Sequence, residues 1–390
     1  MPPSPLVVRQ WRSEQGAGQR TIRAVVGEVS VWFRAPDEIP LATTGDPWLA
    51  VGLLPAMALG TPLDLRDMPP LSPRLLAALP VIQDIWVNWN PLLRRVEVLA
   101  NSGTPRPAGT ECWSFFSGGV DATFSALERA DGLTRLVCIN GFDFMMTSEA
   151  WATTLARVST LGIRLGVPLL GIETNWIELT RHHRLSRAMS HGGCLVAVAH
   201  LLAPREMIVA ASNSFARLTP WGTHPLLDPL WSTETTTMTH HGNYATRADK
   251  VAHIAGRPEL LGALWVCHVN PERNCGECAK CCRTRAMLAL VGQDRPAFPD
   301  AKGDPIAQYA RVVAQGSEQV YLPETIALAR HQGRHDAARI LERAGLRLRL
   351  RHLLREADDV LLGGRIAGLK HRHDTPTDLW PWGRGPVPER

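Results

Sequence analysis

Ser114-Phe115-Phe116-Ser117-Gly118-Gly119-Val120-Asp121-Ala122-Thr123 decides how the chain is read. An apolar stretch from Cys112 to Phe116 runs straight into Ser-Gly-Gly-x-Asp, after which Phe124, Ala126 and Leu127 take up helical spacing. Two glycines without Cβ atoms let backbone N–H groups turn toward a polyanion, and the following helix adds the positive end of its dipole. Ser117 and Thr123 bring hydroxyls suited to phosphate oxygens. Asp121, at the helix start, either caps the helix or holds a magnesium ion that bridges phosphates. The plainer reading of the same residues is a tight turn with a helix cap. The loop is not the Walker type, which ends in Gly-Lys-Ser/Thr.

About 150 residues later Cys267 is followed by Cys275-Gly276-Glu277-Cys278-Ala279-Lys280-Cys281-Cys282-Arg283, so that five of the eight cysteines fall within sixteen residues. Cys-x-x-Cys-x-x-Cys with a fourth cysteine upstream suits a tetrahedral zinc site, because thiolates on a tight knuckle converge on one ion. Disulfides and an iron–sulfur cluster are the competing readings, and the lack of a secretion signal counts against the first. Cys281 and Cys282 are adjacent, and the even spacing selects Cys281 as the ligand.

On these two motifs the chain resembles the N-type, or PP-loop, ATP pyrophosphatases, and within them the 7-cyano-7-deazaguanine synthase-like branch. Residues 117–123 look like the family's Ser-Gly-Gly-x-Asp-Ser-Thr loop, with Ala122 in place of the usual Ser. Cys267, Cys275, Cys278 and Cys281 look like its zinc knuckle. Ala245-Thr246-Arg247-Ala248-Asp249-Lys250 is similar to its Thr-Lys-Ala-Glu segment, with Arg247 where Lys is usual and Asp249 where Glu is usual. The match covers roughly residues 108 to 295. The resemblance implies ATP, Mg2+ and a structural Zn2+. It also implies attack by a substrate carboxylate on the α-phosphorus, release of pyrophosphate, and displacement of the adenylate by ammonia or an amine. The protein would act by positioning and charge neutralisation.

Composition agrees with a globular enzyme. The chain has 390 residues, 45% of them apolar, and a net charge of +5 that permits an anionic ligand but is too mild to argue for nucleic acid. No run approaches eighteen apolar residues, and Met1-Pro2-Pro3-Ser4-Pro5 lacks the makings of a signal peptide, so neither a membrane span nor secretion is expected. The expected location is cytoplasmic. Oligomeric state is not readable.

The expected fold class is α/β: a doubly wound, mostly parallel sheet of the adenine nucleotide alpha hydrolase-like type, with a small α+β N-terminal domain, the knuckle and a helical C-terminal region. Residues 1–107 are read as the N-terminal domain, 108–295 as the ATP pyrophosphatase domain with the knuckle at 267–282, 296–375 as helical, and 376–390 as a tail. The N-terminal part has a β-hairpin around Gly27, a helix opened by Ser72-Pro73, a strand at Val96 to Leu99 and a linker from Ser102 to Gly109. Trp32, Trp48, Trp86 and Trp89 are its expected core anchors. Strands at 113–116, 136–139, 169–172 and 207–211 alternate with helices near 121–130, 148–165 and 191–203. Near the end, Arg347, Arg349, Arg351 and Arg355 beside Leu346, Leu348, Leu350, Leu353 and Leu354 read as a solvated helical face.

Ligands of such sheets lie at the carboxyl ends of the strands, which places Ser117, Gly118, Gly119, Val120, Asp121, Ala122 and Thr123, the segment from Asn140 to Asp143, and Ser212 and Asn213 around one crevice. The polar segment from Trp221 to Lys250 is expected to be loop and to carry substrate chemistry. Asp121, Arg247 and Lys250 would handle the phosphates, and one of His224, His240 or His241 would take a proton, with His241 assigned the catalytic role. His191, His224, Asp228 and His240 are the candidate substrate residues. Each has a bland alternative as an exposed histidine or a capped turn.

The functional expectation is an ATP-dependent ligase that adenylylates a carboxylate or amide, on a small deazapurine-like molecule or on a protein or nucleic-acid substrate. Two alternatives remain. One is a PP-loop enzyme that modifies RNA, with Cys282 or Cys194 as the reactive thiol. The other is a non-catalytic nucleotide-binding zinc module.

Overall fold

A computed structural model describes residues 4–104, 107–142, 145–267, 269–270 and 273–362. Asp143 and the expected tail at 376–390 lie outside them. The contacts divide the described residues into two units, one of residues 4–117 together with 125–243, the other of residues 118–124 together with 244–362.

The first unit is built on one sheet of ten strands: β1 (Leu6–Gly16), β2 (Gln19–Val26), β3 (Val29–Pro36), β4 (Leu63–Asp64), β5 (Val98–Leu99), β6 (Cys112–Phe115), β7 (Arg135–Asn140), β8 (Leu169–Thr174), β9 (Glu206–Ala210) and β10 (Thr237–His241). Their order across the sheet is β10-β9-β6-β7-β8-β3-β2-β1-β4-β5. Strands β6 to β10 pair in parallel, and the order reverses direction between β6 and β9. The sheet is therefore mostly parallel, and the glycine turn after β6 leaves it at a topological switch point, where ligands of open α/β sheets sit.

The expected boundary at 107/108 is not where the chain divides. β2 and β3 form the hairpin foreseen at Gly27 (φ +60°), with Ile22, Ala24 and Val26 facing Val31, Phe33 and Ala35 into the core. β3 then continues the parallel sheet by pairing antiparallel with β8. Asn175 extends this seam, its Oδ1 accepting the Trp32 N–H at 2.9 Å and its Nδ2 donating to the Ser30 carbonyl at 2.8 Å. One hydrophobic core accordingly spans residues from Leu6 to Met238.

Five helices accompany the sheet within this unit, α1 (Asp46–Leu59), α2 (Pro73–Trp89), α4 (Ser148–Leu165), α5 (Trp176–His182) and α6 (Arg187–Leu202), while α3 (Val120–Glu128) begins in the second unit and ends in the first. α2 begins as expected, with Ser72 Oγ accepting the Leu75 N–H. α1 was not foreseen, because it is buried on nearly all sides and shows no apolar stripe to read. Of the four tryptophans, Trp48 and Trp86 are core, while Trp32 lies under the Arg34 guanidinium and Trp89 against His224.

The second unit is helical: α7 (Arg247–Ala255), α8 (Pro258–Leu261), α9 (Ala279–Leu290), α10 (Asp294–Ala297), α11 (Pro305–Ala314), α12 (Leu322–His331) and α13 (His335–Leu362). Cys282, Ala286 and Leu290 of α9 share a core with Tyr309, Val313, Ala329, Leu341 and Leu348. The knuckle helix and the C-terminal helices thus form one body rather than the two expected. Beyond Leu348, Leu350, Leu353 and Leu354 are exposed with Arg349 and Arg351, as a solvated face requires. No helix of the described residues is long and apolar enough to cross a membrane.

Candidate functional site

Within the second unit, Gly118 holds φ +74°, a left-handed turn that glycine adopts without strain, and its carbonyl accepts the Trp265 N–H at 2.8 Å. The chain then enters α3, where Thr123 N–H reaches the Gly119 carbonyl at 2.9 Å. Asp121, in the first turn, neither caps the helix nor leaves an oxygen open. Its Oδ2 accepts from an Arg247 guanidinium nitrogen at 2.6 Å and its Oδ1 from Lys250 Nζ at 3.3 Å.

The two cations arrive together because α7 begins with a capping box. Thr246 Oγ1 accepts the Asp249 N–H at 3.1 Å and Asp249 accepts the Thr246 N–H at 2.9 Å. Arg247 and Lys250, three apart, then share one helix face. Thr-x-x-Asp is a sequence signal for this start, and it also accounts for Asp249, whose carboxylate serves the backbone. Lys250 is 1% exposed, and burial pushes its pKa down against the opposing pull of Asp121. Its ammonium also lies 5.7 Å from the Phe124 ring centroid.

Three participants were not foreseen. Tyr321 has the Arg247 guanidinium 5.4 Å and the Arg283 guanidinium 4.1 Å from its ring centroid, and Glu318 pairs with Arg283. Tyr321 and Glu318 come from a stretch about seventy residues after Arg247, which no local pattern marks. Asp121 thus holds two buried cations at the start of a helix, with Glu324 acting on both of them and Glu318 on Arg247 in the same sense.

Two parts of the expected cradle differ. Each Asp121 oxygen accepts from a cation, so a magnesium ion there would share the carboxylate with Arg247 and Lys250. Thr123 is fully buried and its hydroxyl has no partner, so it faces protein rather than an open ligand position. Ala122 is buried as well, whereas Ser117 is exposed.

Cys267, Cys275, Cys278 and Cys281 converge as expected, their sulfurs all within 4.8 Å of one another. The Cys267–Cys278 and Cys275–Cys281 sulfur pairs are each 3.9 Å apart, close to the roughly 3.8 Å edge of a tetrahedron with zinc–sulfur bonds of about 2.3 Å. Backbone N–H groups of Asn270 and Cys278 donate to Cys267 and Cys275, each at 3.2 Å, which favours thiolate. The four could hold a metal ion such as zinc. Gly276 makes the turn at φ +73°, where a Cβ would also meet Ala301. Asn274 fixes the approach, accepting from Val266 and Cys267 N–H and donating to the Leu264 and Ala297 carbonyls. Cys282 points elsewhere, to the Glu277 carbonyl at 3.1 Å, and burial pushes its thiol up to about 11. A thiol so protonated is a poor nucleophile. Cys194 is fully buried in the core of the first unit.

In the first unit the strand-end residues take several roles. His240 and His241, expected in a loop, are on β10, paired in register with Val209 and Ala210. The edge strand was missed because Thr237-Met238-Thr239-His240-His241 has almost no apolar content. Buried Asp228 joins two of the candidates: its Oδ2 lies 2.6 Å from His240 Nδ1 and its Oδ1 accepts the His224 N–H at 3.0 Å. His224 Nδ1 in turn accepts the Leu226 N–H at 3.1 Å, and its ring meets Trp89 edge-on. Burial, with the neighbouring His240, holds the His224 pKa below the ordinary range. His241 Nδ1 pairs instead with Ser125 Oγ at 3.1 Å.

His191 is tied at both ring nitrogens, to the Arg187 carbonyl at 3.0 Å and to Thr223 Oγ1 at 3.3 Å, beside Trp221. Gly192 and Gly222 allow this approach, since a Cβ on Gly192 would fall 1.7 Å from the Gly222 carbonyl oxygen. Asn140 is buried and committed to structure, accepting the Met146 N–H at 2.9 Å and donating to Glu173 at 3.2 Å, so it does not face a nucleotide. Asn213 binds Thr219 Oγ1 and the Asn243 side chain, and Ser212 precedes it half-buried after β9. Family profiles, curated proteins and solved structures yield no match to this chain.

Proposed function

We propose that the chain is an ATP-dependent enzyme that forms AMP and pyrophosphate by adenylylating a carboxylate or amide, the ligase chemistry of the PP-loop ATP pyrophosphatases. The observation that carries this is the Asp121–Arg247–Lys250 cluster at the end of a glycine turn that follows a strand at the sheet's switch point. Backbone amides of Gly118 and Gly119 would hold phosphate oxygens. Arg247 and Lys250, kept in place by Asp121, would neutralise the leaving pyrophosphate. Magnesium, when bound, would add charge neutralisation, and Asp121 is the carboxylate beside the turn that could share in holding it. The four-cysteine group is assigned a structural Zn2+, since four thiolates close the coordination shell.

The acceptor is a small carboxylate or deazapurine-like molecule, or a larger protein or nucleic-acid end. The RNA-modifying reading is weaker, because neither Cys282 nor Cys194 is placed as a reactive thiol. The test is incubation of the full chain with magnesium, ATP and a panel of carboxylates, followed by mass analysis of the nucleotide. AMP with pyrophosphate is expected, and its formation should fall at least about a hundredfold in Lys250→Met. ADP as the product, or tight ATP binding with no cleavage across the panel, would overturn the reading, and the second outcome would favour a non-catalytic nucleotide-binding module.

A further inference from the structure

Arg247 owes its backbone position to the capping box of α7, but its side chain is long, and Asp121 holds one end of it through a single guanidinium nitrogen at 2.6 Å. Such a bond fixes where that nitrogen lies and leaves the plane of the guanidinium free to turn about it. The contact that sets the plane comes from far along the chain. The Tyr321 ring centroid lies 5.4 Å from the guanidinium carbon, within the reach of a cation–π contact, and Glu324 and Glu318 attract the same charge.

The ring is itself held. Buried Arg283 reaches it from α9, with its guanidinium 4.1 Å from the centroid, and pairs with Glu318. Glu318 holds φ +56°, a left-handed conformation that residues other than glycine seldom adopt, and the hydroxyl of buried Tyr309 donates to its carbonyl at 3.1 Å. Such a conformation persists where the surrounding contacts over-determine it, and conformations of this kind cluster at functional sites. Glu318 and Tyr321 lie beyond residue 295, past the stretch that resembles the ATP pyrophosphatases, so this support is the chain's own. Asp121, Arg247, Arg283, Glu318 and Tyr321 all belong to the second unit.

We propose that Tyr321 is a positioning residue, whose ring, held by Arg283, fixes the plane of the Arg247 guanidinium so that it meets the leaving pyrophosphate in one orientation. This rests on the nucleotide reading above and adds to it that the charge of Arg247 does not suffice without its orientation. A guanidinium is planar, stacks on aromatic faces and presents a fork of donors to phosphate, whereas an ammonium is a point charge with no plane to set. A contact made to the departing group acts on the transition state, so losing its orientation lowers kcat more than it raises KM.

Steady-state kinetics of AMP formation by the full chain, with magnesium and the carboxylate of the panel that reacts fastest, test it. Tyr321→Leu should lower kcat about tenfold and leave KM for ATP within about twofold, and Tyr321→Phe, which keeps the ring, should return kcat to within about threefold of the wild type. Arg247→Lys keeps the charge and loses the plane. In that background Tyr321→Leu should cost no further factor, because what the ring orients is gone, whereas a residue needed only for packing would cost the same in both backgrounds. Tyr321→Met, which refills the space with a flexible chain, takes the place of Tyr321→Leu if that variant folds poorly. Wild-type kcat in Tyr321→Leu, no recovery in Tyr321→Phe, or about the same tenfold loss in the Arg247→Lys background overturns the proposal and leaves the nucleotide reading standing. A wild-type chain that forms no AMP overturns both.

Discussion

Asp121 and Asp228 are both carboxylates drawn out of water, one in each unit, and they are compensated in opposite ways. Asp121 faces two strong cations from one helix, Arg247 and Lys250, on both of which Glu324 also acts. Asp228, 3% exposed at its side chain, meets one imidazole and one backbone N–H, so its compensation is a hydrogen-bonded pair with no surplus. Buried charge is tolerated in either form only with partners at hydrogen-bond distance. The Asp121 form gathers cations on one helix face, and the Asp228 form orients an imidazole.

Metal removal should have the largest effect and should separate the two. α9 starts directly on the four-cysteine knuckle and packs against α7, the helix that carries Arg247 and Lys250. Chelation, or Cys275→Ser, should therefore cost the second unit its fold, since structural zinc contributes on the order of 10 kcal/mol in small metal-built domains. Hydrogen exchange is the check: protection should vanish over 247–290 and persist over 206–241. Loss in both stretches, or in neither, would break the contrast.

Next in size is Asp121→Ala, which strands two buried cations and should destabilise by about 3–5 kcal/mol in denaturant titration. Lys250→Met in that background should recover part of the loss, which a merely local packing defect would not allow. Asp228→Ala leaves a buried backbone N–H and a ring nitrogen unpaired, at about 1–3 kcal/mol. Equal losses at the two aspartates would show that two stranded cations cost no more than two unpaired polar groups.

The smallest effect is pH dependence at the Asp228 cluster. His224, held below its ordinary 6.5 chiefly by burial, stays neutral when folded, while the unfolded chain takes up the proton first. Its contribution to stability is therefore intact above about pH 6.5 and is lost as pH falls from there through the lowered folded value. His183, lowered by burial beside His182, acts with the same sign, so His224→Gln and His183→Gln should each remove a separate share, roughly 1 kcal/mol or less, of the loss in stability between pH 7.5 and 5.5. The Asp121 cluster, built on arginine and lysine, should show no comparable slope in that interval.

The glycine turn, the four converging cysteines and the parallel strands from Cys112 to Ala210 were legible because each is written in local spacing: a two-residue turn, a three-residue cysteine repeat, short apolar runs. Ser148–Leu165 matches its expected helix at both ends, since Thr147 caps its start and Gly166 its finish. The N-terminal boundary was not legible. Nothing in the hairpin at 19–36 says that β3 will find β8, whose partner residues are some 140 positions away and whose seam is completed by the amide of Asn175. β10 was hidden by its polar composition, and α1 by burial on all sides.

The chain's own order of residues determined that a strand would end in a glycine turn before a helix, that four sulfurs would meet on a knuckle, and that Arg247 and Lys250 would share a face of a capped helix. Only the tertiary structure decided what the side chains there would serve. It made Asp121 the anchor of two cations, brought two guanidinium groups to the Tyr321 ring, withdrew Asn140 and Thr123 from the surface, and coupled Asp228 to His240. Local periods set backbone conformation because they act over one or two turns. Hydrogen-bond partners and burial depend on contacts between residues far apart in the chain, and these exist only once the sheet and the helices have closed on their cores.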